Sequence, residues 1–324
     1  MTQEIFREEF ALMSKIRQFI KNISPLNDRT EMPVTLYIMK VILIFWFVKF
    51  GTELIGEGVV IVLHFVCGKN PLKGEMFAPD TTILIVYYGY ALMIGMVLLY
   101  WKFFQKKTAS ELGFTKKAGT YFVGAAAGAV LVAVSAVLAV LAGAISYNGV
   151  FGNINTGFIL LMLGGFICQG TMEEVLCRGI VMQLLKNKAS IPVAITVSSA
   201  LFIIPHLSKM TETGGVITFF AIINLILISM VFSLFTLYFT GIWAACGFHT
   251  VWNFILYNIF GLNLSGNGGM SAAVFDMRST GDNALNGGIY GIEASVIATV
   301  VLTVTVVVMF VIIYGKGRTA DGIQ

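Results

Sequence analysis

Charge is what this chain has least of. Asp, Glu, Lys and Arg make up 12% of its 324 residues, against 57% for the hydrophobic types. A soluble domain carries roughly 25% charged residues, so a water-soluble globule is excluded and an integral membrane protein is expected. Cysteine is scarce as well. Cys67, Cys168, Cys177 and Cys246 form no CxxC pair and lie mostly in apolar runs, which excludes a disulfide or zinc framework and leaves them as small helix residues. No HExxH pair is present on any one helix, and no repeat period stands out. The net charge of +4 comes from lysines clustered in loops, which points to membrane orientation and not to a nucleic-acid partner.

Long apolar runs are what the chain has most of. Segments sufficient to span a bilayer, about 20 residues each, fall near 34–52, 81–104, 120–146, 157–185, 191–207, 216–238, 240–260 and 289–314. The expected fold class is therefore all-α, a polytopic membrane protein of about eight transmembrane helices. Small-residue stretches such as GAAAGAVLVAVSAVLAVLAGA suit close packing between membrane helices. The chain divides into a leader (1–33), two spans with their loops (34–119), a central block (120–260), and an outer loop, last span and tail (261–324). The Gly/Asn/Ser-rich stretch 261–288 reads as a loop.

The leader places Ile5, Phe6, Phe10, Met13, Ile16, Phe19, Ile20 and Ile23 at helical spacing with charges opposite. That pattern fits a helix lying along the membrane surface, the alternative being a disordered tail. No cleavable signal peptide is expected, because the first apolar span starts only near Pro33. Near the first span, Glu53, Glu57 and His64 form a polar cluster. If that span ends near Thr52, with Gly51, Gly56 and Gly58 marking an irregular exit, the cluster lies at the outer interface.

Inside one span stands the segment QGTMEEVLCRG, residues 169–179. Each of its three charges costs roughly 2.5–3.5 kcal/mol at a helix centre. Glu174 and Arg178 are spaced i,i+4 and can pair on one face. Glu173 points about 100° away and needs partners from elsewhere. The chain has three histidines, and two stand in later spans, in FIIPH (202–206) and HTVWN (249–253). His249 and Asn253 share a helix face, and Pro205 before His206 allows a kink that frees backbone groups. Counting about 1.5 Å per residue, Glu173, His206 and Asn253 lie roughly 20–24 Å and His249 roughly 14 Å from the same membrane face, so the four can meet.

A carboxylate and two imidazoles in a low-dielectric cavity suit hydrolysis. The carboxylate takes a proton from water, one imidazole orients that water, and the other imidazole with the Asn253 amide donates to a developing oxyanion. Alternatively, Glu173, His206 and His249 hold a zinc-like ion with a bound water. Cys177, one turn from Glu173, reads as a packing residue and not as a thiol nucleophile.

At these residues the sequence resembles the CPBP (CAAX protease and bacteriocin-processing, or Abi) intramembrane peptidases, in particular type II CAAX prenyl endopeptidases. EEVLCR matches their EExxxR motif, FIIPH their FxxxH motif and HTVWN their HxxxN motif, in order and in successive spans. The resemblance covers 120–260 well and the leader and the 261–288 loop poorly. It implies a conical intramembrane cavity open to the cytoplasm and an endopeptidase acting on a membrane-associated, lipidated or hydrophobic peptide. It also implies that Glu173 and His206 activate water, that His249 and Asn253 hold the oxyanion, and that Glu174, Arg178 and Phe202 support the site. A metal such as zinc is not required by that glutamate–histidine mechanism. Two other functions are compatible with buried Glu, Arg and His: an ion- or proton-coupled transporter, which would show inverted repeats or paired broken helices, and a catalytically silent immunity or binding protein on the same fold.

Loop charge orients the chain. Lysines and arginines number 14 in the leader, the 102–119 and 186–190 loops and the C-terminal tail, against 4 in the alternate loops. A multi-pass protein of the cell membrane with both termini cytoplasmic is expected. A cysteine introduced within 106–117 should therefore react with an impermeant thiol reagent only after the membrane is opened. Labelling of that cysteine in intact cells would refute the orientation.

Overall fold

The computed structural model describes residues 2–211, 213–266 and 272–320. The middle of the 261–288 loop and the last residues of the tail lie outside the described residues. Helix α1 (Thr2–Ile23) is followed by α2 (Val34–Val66), α3 (Pro79–Phe103), the short α4 (Ala109–Leu112) and α5 (Thr120–Leu141). After strand β1 (Ile145–Val150), α6 (Thr156–Glu174) runs through a π-helix, Val175–Val181, into α7 (Met182–Leu185). Next come α8 (Ile191–Ile203) with a 3₁₀ continuation Ile204–Met210, α9 (Gly215–Phe239), and α10 (Trp243–Phe254) with a π-helical end Ile255–Ile259. Strand β2 (Phe275–Ser279) and α11 (Val296–Ala320) complete the chain.

Seven of these helical segments are long and apolar enough to cross a membrane among the described residues. The expected span at 240–260 is present as a helix but shorter, 12 α-helical residues extended by five π-helical ones. It sits inside the bundle against α5, α6 and α9, so neighbouring protein, and not length, shields its backbone from lipid. The fold is a polytopic helical bundle, and one small departure from all-α occurs. β1 and β2 pair antiparallel, Ile145 opposite Ser279 and Val150 opposite Phe275. Part of the predicted 261–288 loop is thus a hairpin-like clasp between two distant segments.

The first span differs from the sequence expectation. Helix α2 is not interrupted at Gly51 but continues unbroken for 33 residues to Val66, about 50 Å of helix. No partner crowds Gly51 or Gly58, and an isolated glycine costs a helix only about 1 kcal/mol. His64 is buried at the far end, its Nδ1 bonded to the Val60 carbonyl at 2.8 Å and its Nε2 accepting the Phe77 amide at 3.2 Å. Glu57 and Glu53 do not gather around it as a ligand group; Glu53 pairs instead with Lys49.

Helix α1 is exposed on every face from Glu8 to Lys21, Phe10, Met13, Ile16, Phe19 and Ile20 included. The side chains of Ile5 and Phe6 lie outside the described residues.

Connections sort into two ends of the bundle. At the terminal end, Tyr100 donates to the Pro25 carbonyl at 2.6 Å, Lys106 pairs with Asp28 at 3.1 Å and the Ile242 amide donates to the Gly113 carbonyl at 3.0 Å. Lys106 beside Asp28 holds that carboxyl below the usual carboxylate range. At the clasp end, the Asn286 amide donates to the Ala144 carbonyl and the Gly266 N–H to the Tyr290 carbonyl, both at 3.0 Å.

Glycine sets the closest helix approach. A Cβ at Gly124 of α5 would lie 1.8 Å from the Ala244 carbonyl oxygen, and one at Gly247 of α10 would lie 2.0 Å from that of Tyr121. Backbone meets backbone here, so no rotamer change can relieve a side chain. Gly124→Val and Gly247→Val should each abolish the monodisperse detergent-extracted species. Gly95→Ala, where nothing lies within 4 Å, should leave it intact. Wild-type behaviour of both valine variants on size-exclusion chromatography would refute the α5–α10 contact.

Candidate active site

The charged segment of α6 sits where the helix changes character. Its two glutamates end the α-helical part, and the wider π-helix begins at Val175. A π-helix misaligns carbonyls that an α-helix would satisfy. Here Ser198 Oγ donates to the Cys177 carbonyl at 2.8 Å and Gln183 Nε2 to the Arg178 carbonyl at 3.3 Å. The Cys177 side chain is buried, in keeping with a packing residue. Helix α10 repeats the device: its π-helical end begins two residues after Asn253.

Glu174 and Arg178 are both 0% exposed and pair at 3.2 Å, as the i,i+4 spacing predicts. The guanidinium also donates to the Ser229 carbonyl at 2.9 Å and to the Ser229 hydroxyl, which in turn donates to Ser199. The rings of Phe202 and Phe232 lie 4.8 and 5.1 Å from its centre. Phe202, the first residue of FIIPH, also lines the cavity, its ring 5.0 Å from that of His206 and 6.2 Å from that of His249.

The pair has a third member that spacing did not reveal. Glu174 Oε1 also accepts a hydrogen bond from His249 Nδ1, at 3.0 Å. A carboxylate only accepts, so the Nδ1 proton is fixed there and Nε2 faces away. Phe232 stacks on the His249 ring at 4.9 Å and 16°, locking its plane.

Glu173 is 26% exposed and lies beside the same imidazole, Oε2 to His249 Nε2 3.8 Å. Its Oε1 accepts from Gln169 Nε2 at 2.5 Å, and Gln169 Oε1 accepts from Asn253 Nδ2 at 3.1 Å. Glu173 is thus tied within its own helix by a neutral partner, and Gln169 links it to Asn253. Gln169 was missed in the sequence, although it stands i−4 from Glu173 on the same face. The buried Oε2 of Glu173 has no hydrogen-bond partner.

His206 stands in the 3₁₀ turn that follows Pro205. Its Nδ1 donates to the Phe202 carbonyl at 2.8 Å, a group freed where the α-helix ends, as the proline predicts. The His206 Nε2 lone pair is left available.

Glu173, His206, His249 and Asn253 line one cavity of about 450 Å³. Its wall also takes Lys49 and Glu53 from α2 and Tyr87 and Tyr90 from α3. An apolar groove of about 330 Å³ between α2 and α3 shares Glu53, Tyr90 and Met93 with it. Glu293 was also missed. It accepts from Trp252 Nε1 at 3.1 Å and from the Ser265 amide and hydroxyl at 2.8 Å each, which pins the segment after α10 at the cavity edge. Nothing in local spacing could show this, because Glu293 and Trp252 are 41 residues apart.

The fold and site together define a multi-pass α-helical membrane protein that buries ionisable groups around an internal cavity. Residues 155–255 match the family model of type II CAAX prenyl endopeptidase Rce1-like proteins. That segment is therefore similar to the CAAX protease family, and EEVLCR, FIIPH and HTVWN all fall within it. No curated protein and no solved structure matches the chain.

A metal ion would need donors converging on one point. Among the described residues no three His, Cys, Asp or Glu side chains do so, and the sequence-predicted set of Glu173, His206 and His249 is no exception. The donor set does not fit an ion in this arrangement.

The buried pair carries a test. Breaking such a pair by removing one partner costs about 3–5 kcal/mol, because the other charge is left uncompensated. Arg178→Met and Glu174→Gln should each lower the melting temperature in detergent, and the double variant should be more stable than Arg178→Met alone. A double variant showing the sum of both losses would refute the coupling.

Proposed function

We propose that the chain is an intramembrane endopeptidase that hydrolyses a peptide bond in a membrane-associated, lipidated or hydrophobic peptide, using water activated by Glu173 and His206. The observation that carries this reading is the meeting of four polar side chains in one cavity: Glu173, whose buried Oε2 has no hydrogen-bond partner, lines it together with His206, His249 and Asn253. A buried lone pair left unsatisfied costs about 1–3 kcal/mol, and a small turn of the Glu173 side chain toward the cavity would let a water recover it.

The chemistry then follows from which atoms hold protons. One water proton moves to Glu173 Oε2 as the oxygen attacks the scissile carbonyl, and the other is held by His206 Nε2. The oxyanion is met by the Asn253 amide and by His249 Nε2. Because the His249 Nδ1 proton is committed to Glu174, Nε2 donates only in the imidazolium form, which the Glu174 carboxylate stabilises. As the C–N bond breaks, the proton on Glu173 passes to the leaving amine. No step passes through a metal. Glu174, Arg178 and Phe202 are positioning residues, acting through His249 and the helix geometry.

Cleavage of a candidate membrane peptide by purified, reconstituted protein tests the reading. Glu173→Gln keeps the shape and removes the proton acceptor, so turnover should fall about 10²–10⁴-fold while peptide binding persists. Asn253→Ala should leave partial activity, down on the order of 10²–10³-fold. Full activity of Glu173→Gln would sink the assignment. A stoichiometric zinc whose removal abolishes cleavage, and whose return restores it, would overturn the metal-free route.

A further inference from the structure

The cavity has a direction. Besides the four site residues, its lining includes Pro205 and Lys209 from the turn after α8, Leu264 and Ser265 from the segment after α10, and Glu293 before α11. All five belong to the clasp end of the bundle, and no residue of the 103–119, 186–190 or 240–243 connections contributes. Towards the terminal end the site is sealed. Val175, Ile180, Val181, Met182, Leu185 and Phe248 are each fully buried, with the Glu174–Arg178 pair packed among them. A separate cleft at the terminal end, lined by Lys107, Glu111, Lys186 and Thr240 among others, shares no residue with the cavity.

Two expectations from the sequence therefore conflict. Loop charge places the termini in the cytoplasm, and the family resemblance implies a cavity open to the cytoplasm; the described lining of the cavity reaches the end opposite the termini. The charge argument is specific to this chain. Its 14-to-4 split falls on the sealed end, and the lysines counted there include the Lys106 that holds Asp28 and the Lys117 that bonds Thr240.

We propose that the catalytic cavity is entered from the non-cytoplasmic face, so that the substrate is a membrane-anchored peptide whose scissile bond lies on the outer side of the bilayer. The apolar groove between α2 and α3 lies in the same half of the bundle, flanking α2 from Glu53 to Ile61 and α3 from Val86 to Met93. It opens into the cavity through the three residues they share, and takes the apolar anchor of such a peptide. The identity of the substrate rests on the peptidase reading above; the direction of entry does not.

Direction can be measured without turnover. In a background with Cys67 and Cys168 changed to serine, single cysteines are placed by Lys209→Cys at the mouth, Ile228→Cys on the cavity wall and Lys107→Cys at the terminal end. Intact cells are treated with a charged, impermeant maleimide. Lys209→Cys and Ile228→Cys should be labelled from outside, and Lys107→Cys only after the membrane is opened. Protection of Lys209→Cys with outside labelling of Lys107→Cys would turn the cavity toward the cytoplasm and overturn the proposal. Outside labelling of Lys209→Cys with Ile228→Cys protected until the membrane is opened would overturn it as well. Outside labelling of both cavity positions in a protein that cleaves no peptide would leave the direction standing and remove the peptidase reading alone.

Discussion

Everything near the site depends on one constraint: two full charges, Glu174 and Arg178, are held where no water reaches them. In a low-dielectric interior such a pair repays its desolvation better the more of its remaining donors and acceptors are occupied. Arg178 meets part of that demand with Ser229 and with two aromatic faces, and Glu174 with His249, while the buried Arg178 Nε and Glu174 Oε2 are left without a hydrogen-bond partner. These compensations determine the placement of other elements. Ser229 brings α9 against the π-helix, Phe202 brings α8, and His249 brings α10. The ion pair is therefore the point on which three helices converge, and the imidazole inherits its orientation from it.

A second layer of positioning comes from irregular helices. The π-helices after Glu174 and Asn253, and the 3₁₀ turn at Pro205, each interrupt the α-helical ladder at a motif residue. In lipid, freed carbonyls must be satisfied within the protein, and here Ser198, Gln183 and His206 do so. His206 illustrates the economy of the arrangement. The bond that satisfies the Phe202 carbonyl also fixes the tautomer that leaves Nε2 available to the cavity.

Much of this was legible in the sequence because it depends on spacing within one helix. The apolar runs located the spans, the i,i+4 rule paired Glu174 with Arg178, and Pro205 marked the break before His206. What failed shares a cause. Gly51, Gly56 and Gly58 read as an irregular break in the chain, yet glycine is a weak local preference that a long apolar helix overrides. The 261–288 stretch read as a loop, yet part of it pairs with β1 across more than 120 residues of chain. Gln169 was within reach of the same helical reasoning that paired Glu174 with Arg178; Glu293 was not.

The sequence by itself determined that this is a multi-pass membrane protein, roughly where seven of its long apolar helices lie, and which side chains carry charge among them. Those properties follow from hydropathy and from local periodicity, which act over a few residues. Only the tertiary structure decided that His249 shares its carboxylate with Arg178, that Glu173 keeps an unpartnered oxygen, and that the cavity runs toward the clasp and not toward the termini. Each of these depends on where distant helices lie against one another, and that is set by side-chain packing between segments no local pattern connects.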